Sequence, residues 1–291
     1  MSQLLALLAA IGGLALAGLG VFWVGFQTVP AAYPDVSSPE SPLVPAEPGE
    51  PSAGARFLPV ELPAYLAEHF REVFGASSTS FTPPKISTAV IWGRGRYRFY
   101  GFMVPMRFRG FYRPGESFFR TIDLTWFGRG VLRIRESFSE GVGRRSFEGW
   151  VKGEGKGGDL DPNLQQALWR EAFWAPTVLF EVPWEKVSED RFRCPAAPFE
   201  ARRHPKTGRL VSLEGELPSR ADGTVPRWQA ALRAWQRFHG IEIPTQVWIC
   251  QRGSREAETL FVVQGVAYNL ELPNDLQQAP RHLEGTREKT S

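Results

Sequence analysis

"SFFRTIDLTWFGRGVLRIRESF", residues 117 to 138, decides the fold. Two runs rich in Phe, Ile, Leu, Thr and Val flank the small-residue break Gly128-Arg129-Gly130. In the second run, strict alternation sets Val131, Arg133, Arg135 and Ser137 on one face and Leu132, Ile134, Glu136 and Phe138 on the other. A period of two across a short glycine turn is the pattern of a β-hairpin with one buried face.

The pattern continues in both directions. Upstream lie "KISTAVIW" (85–92) and "RFRGFYR" (107–113); downstream, "SEGVG" turns into "RRSFEGWV" (144–151). Short runs at roughly ten-residue spacing, punctuated by glycine turns, predict an antiparallel meander. Further strands are expected at "RFRC", "FEARRH", "LVSLEGEL", "PTQVWIC" and "ETLFVVQGVAYNLEL", with "HPKTG" (204–208) as a hairpin turn. Three segments carry a helical period. "LPVELPAYLAEHFREVFG" stripes Leu62, Leu66, Phe70 and Val73 and stops at Gly75. "DPNLQQALWREAFWAP" offers Asp161 as N-cap, Pro162 at the first helical position, and the stripe Leu164, Leu168, Ala172, Ala175. "VPRWQAALRAWQRFHG" lines up Trp228, Ala231, Leu232, Trp235 and Phe238 before Gly240. The expected fold class is α+β, with about ten strands and about three packed helices, because strands and helices are not interleaved one for one.

One sheet face is rich in arginine: Arg107 and Arg109 segregate from Phe108 and Tyr112, as Arg133 and Arg135 do from their neighbours. The net charge of +3 hides an uneven distribution, −4 over residues 1–93, +8 over 94–156 and −1 over 157–291. A solvated outer face and a surface for anionic head groups or cell-wall polymers both fit this pattern. A nucleic-acid partner is not expected, since no RRM, OB or zinc-binding signature accompanies the arginines.

From Leu4 to Phe26 no charged or strongly polar side chain occurs. Those residues would span about 34 Å as a helix, enough to cross a bilayer. Residues 1–26 are therefore read as an N-terminal transmembrane anchor. A signal peptide cleaved near Val29-Pro30-Ala31 is the rival, although its apolar core is usually only about 7–15 residues. The short uncharged stub before the anchor favours an extracytoplasmic domain, since no Lys or Arg precedes Arg56 to set orientation. Residues 27–56 are proline-rich and read as a semi-rigid spacer. A single domain is expected over 57–272, followed by a polar tail over 273–291. Cys194 and Cys250 are readable either as a pair or as two thiols.

Catalytic and metal motifs are sparse. No H-E-x-x-H, no G-x-S-x-G and no Cys pair at metal spacing is present, and His69, His204, His239 and His282 are scattered. "GWVKGEGKGGD" (149–159) lacks the spacing of a phosphate loop and reads as a flexible turn. No cofactor is expected. Asp123 and Glu171 form an acid pair only if the fold brings them together.

"EAFWAPTVL", with Glu171, Trp174, Pro176 and Thr177, resembles the E-x-x-W-x-P-T signature of a family of bacterial domains of unknown function, mostly membrane-anchored or envelope-associated. Trp184, Gly208, "HGIEIPTQVW" and "VAYNLEL" follow in the matching order. A basic residue common one turn before the Glu is Ala167 here, with Arg170 beside the Glu instead. The resemblance implies a strongly curved, half-barrel-like antiparallel sheet with helices on its concave side, similar to periplasmic lipoprotein carriers. It implies no activity. On that fold the aromatic helices would line an apolar groove, with Glu171, Arg170, Trp169, Phe173, Trp174, Trp184, Trp235, Trp248 and Tyr268 as candidate ligand contacts. Glu171 is expected to accept from backbone N–H groups or from an arginine of the sheet. Pro176 is expected to end its helix and send "TVLFEV" into a strand, and His239 to sit at a helix C-terminus. The expected function is a membrane-tethered domain binding a lipid-like ligand or an envelope protein partner without chemistry. The alternatives are an envelope hydrolase using Glu171 or Asp123 and a structural adaptor for another membrane protein.

Overall fold

A computed structural model describes residues 2–31, 33, 64–75, 84–158, 160–195, 199–217, 225–251 and 257–270. The proline-rich stretch from residue 34, Leu62 and the polar tail lie outside these. Among the described residues, thirteen strands form one sheet. They are β1 (Ala89–Phe99), β2 (Phe102–Arg113), β3 (Ser117–Trp126), β4 (Arg129–Ser139), β5 (Val142–Gly149), β6 (Gly153–Lys156), β7 (Glu185–Lys186), β8 (Arg191–Cys194), β9 (Phe199–Arg203), β10 (Leu210–Glu216), β11 (Arg227–Phe238), β12 (Ile241–Gln251) and β13 (Ala257–Tyr268). Their spatial order is β6-β5-β4-β3-β2-β1-β13-β12-β11-β10-β9-β8-β7, so two meanders join where β13 returns to pair with β1. Every pairing is antiparallel, and the sheet is curled without closing.

The two meanders approach closely where they meet. A Cβ at Gly93 would lie 2.1 Å from the Val262 carbonyl oxygen, and one at Gly95 would lie 1.8 Å from that of Leu260. Only glycine permits backbone to approach so closely, and the register shift between Trp92 and Gly93 coils the strand there.

Among the described residues, four helices and one 3-10 turn accompany the sheet: α1 (Ser2–Gly25), α2 (Ala64–Phe74), α3 (Leu160–Arg170), the 3-10 turn Ala172–Trp174, and α4 (Thr177–Glu181). The core lies between one face of the sheet and α2, α3, the 3-10 turn and α4, and contains Leu66, Phe70, Phe108, Ile122, Leu164, Trp174, Phe192, Trp228 and Phe261. The predicted stripe Leu164, Leu168, Ala172 and Ala175 is buried throughout. Asp161 does not cap α3. It sits inside the first turn, and its carboxylate accepts the Gly143 N–H at 2.5 Å, tying α3 to β5.

Several expectations are corrected. The segment "VPRWQAALRAWQRFHG" is not a helix but strand β11. Trp228, Ala230 and Leu232 are buried at a spacing of two. Then Ala234 adopts a φ of +53° and is skipped in the β12 register, between Arg233↔Gln246 and Trp235↔Pro244. Thr245 opposite it is left out of the ladder as well, so the register does not shift, and beyond this irregularity Trp235 lies half-buried against His69, at 5.7 Å between ring centroids. The strand therefore puts Trp228 and Leu232 in the core and Trp235 against it, the same i, i+4, i+7 stripe a helix would show, and hydrogen bonding to β12 decides between them. His239 consequently lies in the β11–β12 hairpin turn, φ +47°, where its Nε2 is 3.0 Å from the Val266 carbonyl oxygen. Pro176 does not lead into a strand. It opens α4, its φ of −67° being ready for a helix, and Val178 and Leu179 are buried from there. The glycine-rich 149–159 turn contains β6, which pairs with β5. Cys194 and Cys250 are free thiols.

Candidate functional site

Strand parity places the charged residues. Along β3, Phe118, Arg120, Ile122 and Leu124 face the core, which puts a guanidinium among apolar side chains, with only 5% of Arg120 exposed. On β4 the same face carries Glu136, between Ile134 and Phe138 and 2% exposed. Arg120 and Glu136 are directly opposite in the β3–β4 register. The turn after α3 presents Glu171 to the same point.

These three residues form a continuous ionic chain. Arg120 donates through Nη1 to Glu171 and through Nε (3.1 Å) and Nη2 to Glu136. Arg145 on β5 donates to the other Glu136 oxygen at 2.8 Å. The Tyr112 hydroxyl donates to the second Glu171 oxygen. Burial alone would push Arg120 towards its neutral form, but the carboxylates of Glu171 and Glu136 outweigh it and hold the guanidinium well above its ordinary range. Burial likewise raises the Glu136 carboxyl, while Arg120 and Arg145 together pull it down to about 2. Arg120 and Glu136 are held in their ionised forms, and Glu171 accepts from a sheet arginine.

Beside this chain lies a cavity of about 390 Å³. Its floor is Arg120, Glu136, Arg145 and Glu171; Leu164, Leu217, Ile249 and Phe261 give it apolar wall; Tyr97, Arg98 and Glu258 stand at one end. Four arginines face three glutamates around it, which leaves one cation in excess. That cation is Arg170. Its Nε is shut off from solvent and meets no hydrogen-bond acceptor among the described residues. Its guanidinium makes no ion pair among them and rests 5.6 Å from the Trp228 ring. Burial lowers its proton affinity, with Glu171 working in the opposite direction.

The other candidate contacts lie elsewhere. Trp174 is fully buried in the core, its indole N–H bonded to the Pro244 carbonyl at 3.1 Å and its own carbonyl accepting the Tyr268 hydroxyl at 2.7 Å. Phe173 and Trp184 are buried, and Trp184 donates to the Leu179 carbonyl. Trp169 packs on Phe199, Trp235 on His69, and Trp248 is 37% exposed under Arg233. Only Glu171 and Arg170 of the nine candidates line the cavity. Asp123 and Glu171 do not converge, because Asp123 has the opposite parity to Arg120 on β3 and is held on the other face by Arg107, Arg133 and Tyr33. Among the described residues no cluster of His, Cys, Asp and Glu is arranged to hold a metal ion.

The E-x-x-W-x-P-T residues thus bind the 3-10 turn to the sheet from both sides: Glu171 to β2 and β3, Trp174 to β12 and β13. Residues 58–254 match the profile described as "Family of unknown function (DUF6544)". The chain belongs to this family. No curated protein matches the DUF6544 chain. Among solved structures, it is similar to a LolA superfamily protein from Nitrosomonas europaea (11% identity, 74% of this chain and 96% of that one, TM-score 0.42). It is also similar to a domain assigned to outer membrane lipoprotein sorting in Vibrio parahaemolyticus (8%, 73% and 95%, 0.38) and to a DUF1329 family protein from Desulfovibrio piger (12%, 76% and 98%, 0.37).

Sequence reasoning passed over Arg120, Glu136 and Arg145. Two signals marked them. Glu136 stands alone on the apolar face of "VLRIRESF", and Arg120 shares parity with Phe118, Ile122 and Leu124. A lone charge in an apolar stripe implies a buried partner of opposite sign.

Proposed function

We propose that this protein is a membrane-tethered, extracytoplasmic domain that holds a lipid-like amphiphile, with the acidic head group of the ligand against Arg170 in the cavity. Arg170 carries the reading. A guanidinium with a shielded, unsatisfied Nε and no carboxylate partner among the described residues is costly, and a carboxylate or phosphate with two oxygens would satisfy its fork. The neighbouring arginines cannot serve as well, because Arg120 and Arg145 are already committed to glutamates. Leu164, Leu217, Ile249 and Phe261 offer the ligand's apolar part a wall. The cavity volume lies within the usual range for small-molecule sites, roughly 300–1,000 Å³, and suits a head group with the first part of a chain. The tether is α1, which is long and apolar enough to span a membrane or to serve as a signal sequence. Its contacts with the sheet, described below, favour the anchor.

The test is lipid extraction and native mass spectrometry of the full chain purified from membranes in mild detergent, beside Arg170→Gln and the surface control Arg135→Gln. The proposal expects an acidic amphiphile on the wild type and on Arg135→Gln, reduced about tenfold on Arg170→Gln, the loss expected for a charge-assisted contact of about 1.4 kcal/mol or more. Equal occupancy of all three proteins would overturn it.

A further inference from the structure

Apart from Trp248 in mid-strand on β12, the exposed aromatic side chains of the sheet are gathered at one end, and that is the end to which α1 is attached. The β1–β2 turn carries Tyr100 (78% exposed) and Phe102 (66%), the β3–β4 turn Phe127 (41%), and the residue after β5 is Trp150 (65%). Register puts them together. Phe99 pairs with Phe102, Trp126 with Arg129 and Leu132 with Gly149, so these turns all close the same edge of neighbouring strands. At the opposite end, the turns after Arg113, Ser139, Arg203 and Phe238 carry no exposed aromatic side chain among the described residues.

The C-terminal end of α1 is built into this rim. The Phe127 N–H donates to the Gly25 carbonyl at 2.9 Å, and the Trp126 indole N–H donates to that of Phe22 at 3.2 Å. Phe26 packs against the core, and Arg96 donates to the Gln27 side chain at 3.1 Å. The chain is held again at Tyr33. Its ring lies under Arg107 and Arg109, at 4.7 and 4.9 Å, and its hydroxyl donates to Asp123 at 2.7 Å. The first residues of the proline-rich segment therefore lie along the outer face of the sheet and set the height of the rim relative to the helix end.

We infer that this rim, formed by Tyr100, Phe102, Phe127 and Trp150, seats in the head-group interface of the bilayer that α1 spans. The inference rests on the tether proposed above. A helix of 24 residues is about 36 Å long against a hydrocarbon core of about 30 Å, which places Gly25 at the interface. Phe127 is bonded to Gly25 and shares that depth. Aromatic rings with a polar edge or backbone nearby partition to this zone, and the exposed Arg129 and Lys152 beside them suit lipid phosphates. Four such rings on short turns would otherwise form an unexplained apolar edge on a soluble domain. Tyr97, Arg98 and Glu258, at one end of the cavity, lie on the strand ends next to this rim, since Tyr97 pairs with Val104 and Thr259. The cavity lining thus reaches the strand ends beside the rim.

The experiment is spin-label depth measurement on the full chain in vesicles of phosphatidylcholine and phosphatidylglycerol. Labels are placed singly at Leu14→Cys, Phe102→Cys, Trp150→Cys and Thr207→Cys in a Cys194→Ala, Cys250→Ala background, and collisions with oxygen and with a water-soluble nickel chelate are compared. Position 14 should read as hydrocarbon and position 207, in the far turn, as water. Positions 102 and 150 should show an oxygen-to-nickel ratio about threefold or more above position 207, as expected of the interfacial zone. If 102 and 150 match 207 while 14 is deep, the rim inference is wrong and the tether stands. If 14 itself reads as water, the tether fails and the rim inference with it.

Discussion

Replacing Arg120 by methionine removes the one cation that holds both Glu171 and Glu136 on the core face of the sheet. Glu136 keeps Arg145, at 2.8 Å through Nε, whereas Glu171 keeps only the Tyr112 hydroxyl. The variant therefore contains one carboxylate, 2% exposed, with a single neutral donor. Stripping one partner from a buried ion pair costs about 3–5 kcal/mol, a large part of a typical domain's stability. Glu171→Gln alone leaves Arg120 with Glu136 and loses one charge-assisted bond, about 1.5–3 kcal/mol. In the double variant the buried charge is gone together with its partner, so the two costs should not add. The double variant should be more stable than their sum by about 1.5–3 kcal/mol. The measurement is urea unfolding of the full chain in detergent, followed by tryptophan fluorescence at pH 7. Additive costs, or an Arg120→Met penalty below about 1 kcal/mol, would refute a load shared through this arginine.

Other predictions follow from the same geometry. His69 is buried against Phe70 and Trp235, and burial with Arg209 nearby holds its pKa down to about 3, so the fold refuses a proton that the unfolded chain accepts below pH 6.5. Stability from this group is present above pH 6.5 and is lost on acidification; between pH 6.5 and 5 the loss should be about 1.5 kcal/mol. His69→Gln should flatten the urea midpoint over that window, and an unchanged slope would contradict a neutral His69. Trp174→Ala should cost about 3–5 kcal/mol in unfolding free energy through cavity formation, as a core residue would; a variant of wild-type stability that merely loses ligand would place Trp174 in the site instead.

The hairpin 117–138 was legible because its period of two is clean and its turn is glycine-rich, and the whole first meander follows from it. The helix α3 was legible from Pro162 and its stripe. The helix reading of β11 failed at Ala234: a positive-φ irregularity inside a strand of helix-favouring residues reproduces the spacing of a helix, and only pairing with β12 separates the two. Glu171 was expected to find a sheet arginine, but which arginine depends on register across β3 and β4, which no local pattern carries. The aromatic residues of "LQQALWREAFWAP" drew attention to a groove they do not line. Their size made them conspicuous, while the cavity beside them is walled by single charges spread over several strands. The docking of Tyr33 on Arg107 and Arg109 had no signal in a segment defined by its prolines.

The central claim is that an acidic amphiphile occupies the cavity beside Arg170, and the most direct measurement is photo-crosslinking of a diazirine-bearing long-chain fatty acid to the full chain in membranes, with adducts mapped by peptide mass spectrometry. The account predicts adducts on the cavity wall, at Leu164, Leu217 or Ile249, and their loss in Arg170→Gln with the label on α1 unchanged. Adducts confined to α1 and the aromatic rim, or wall adducts indifferent to Arg170, would contradict it.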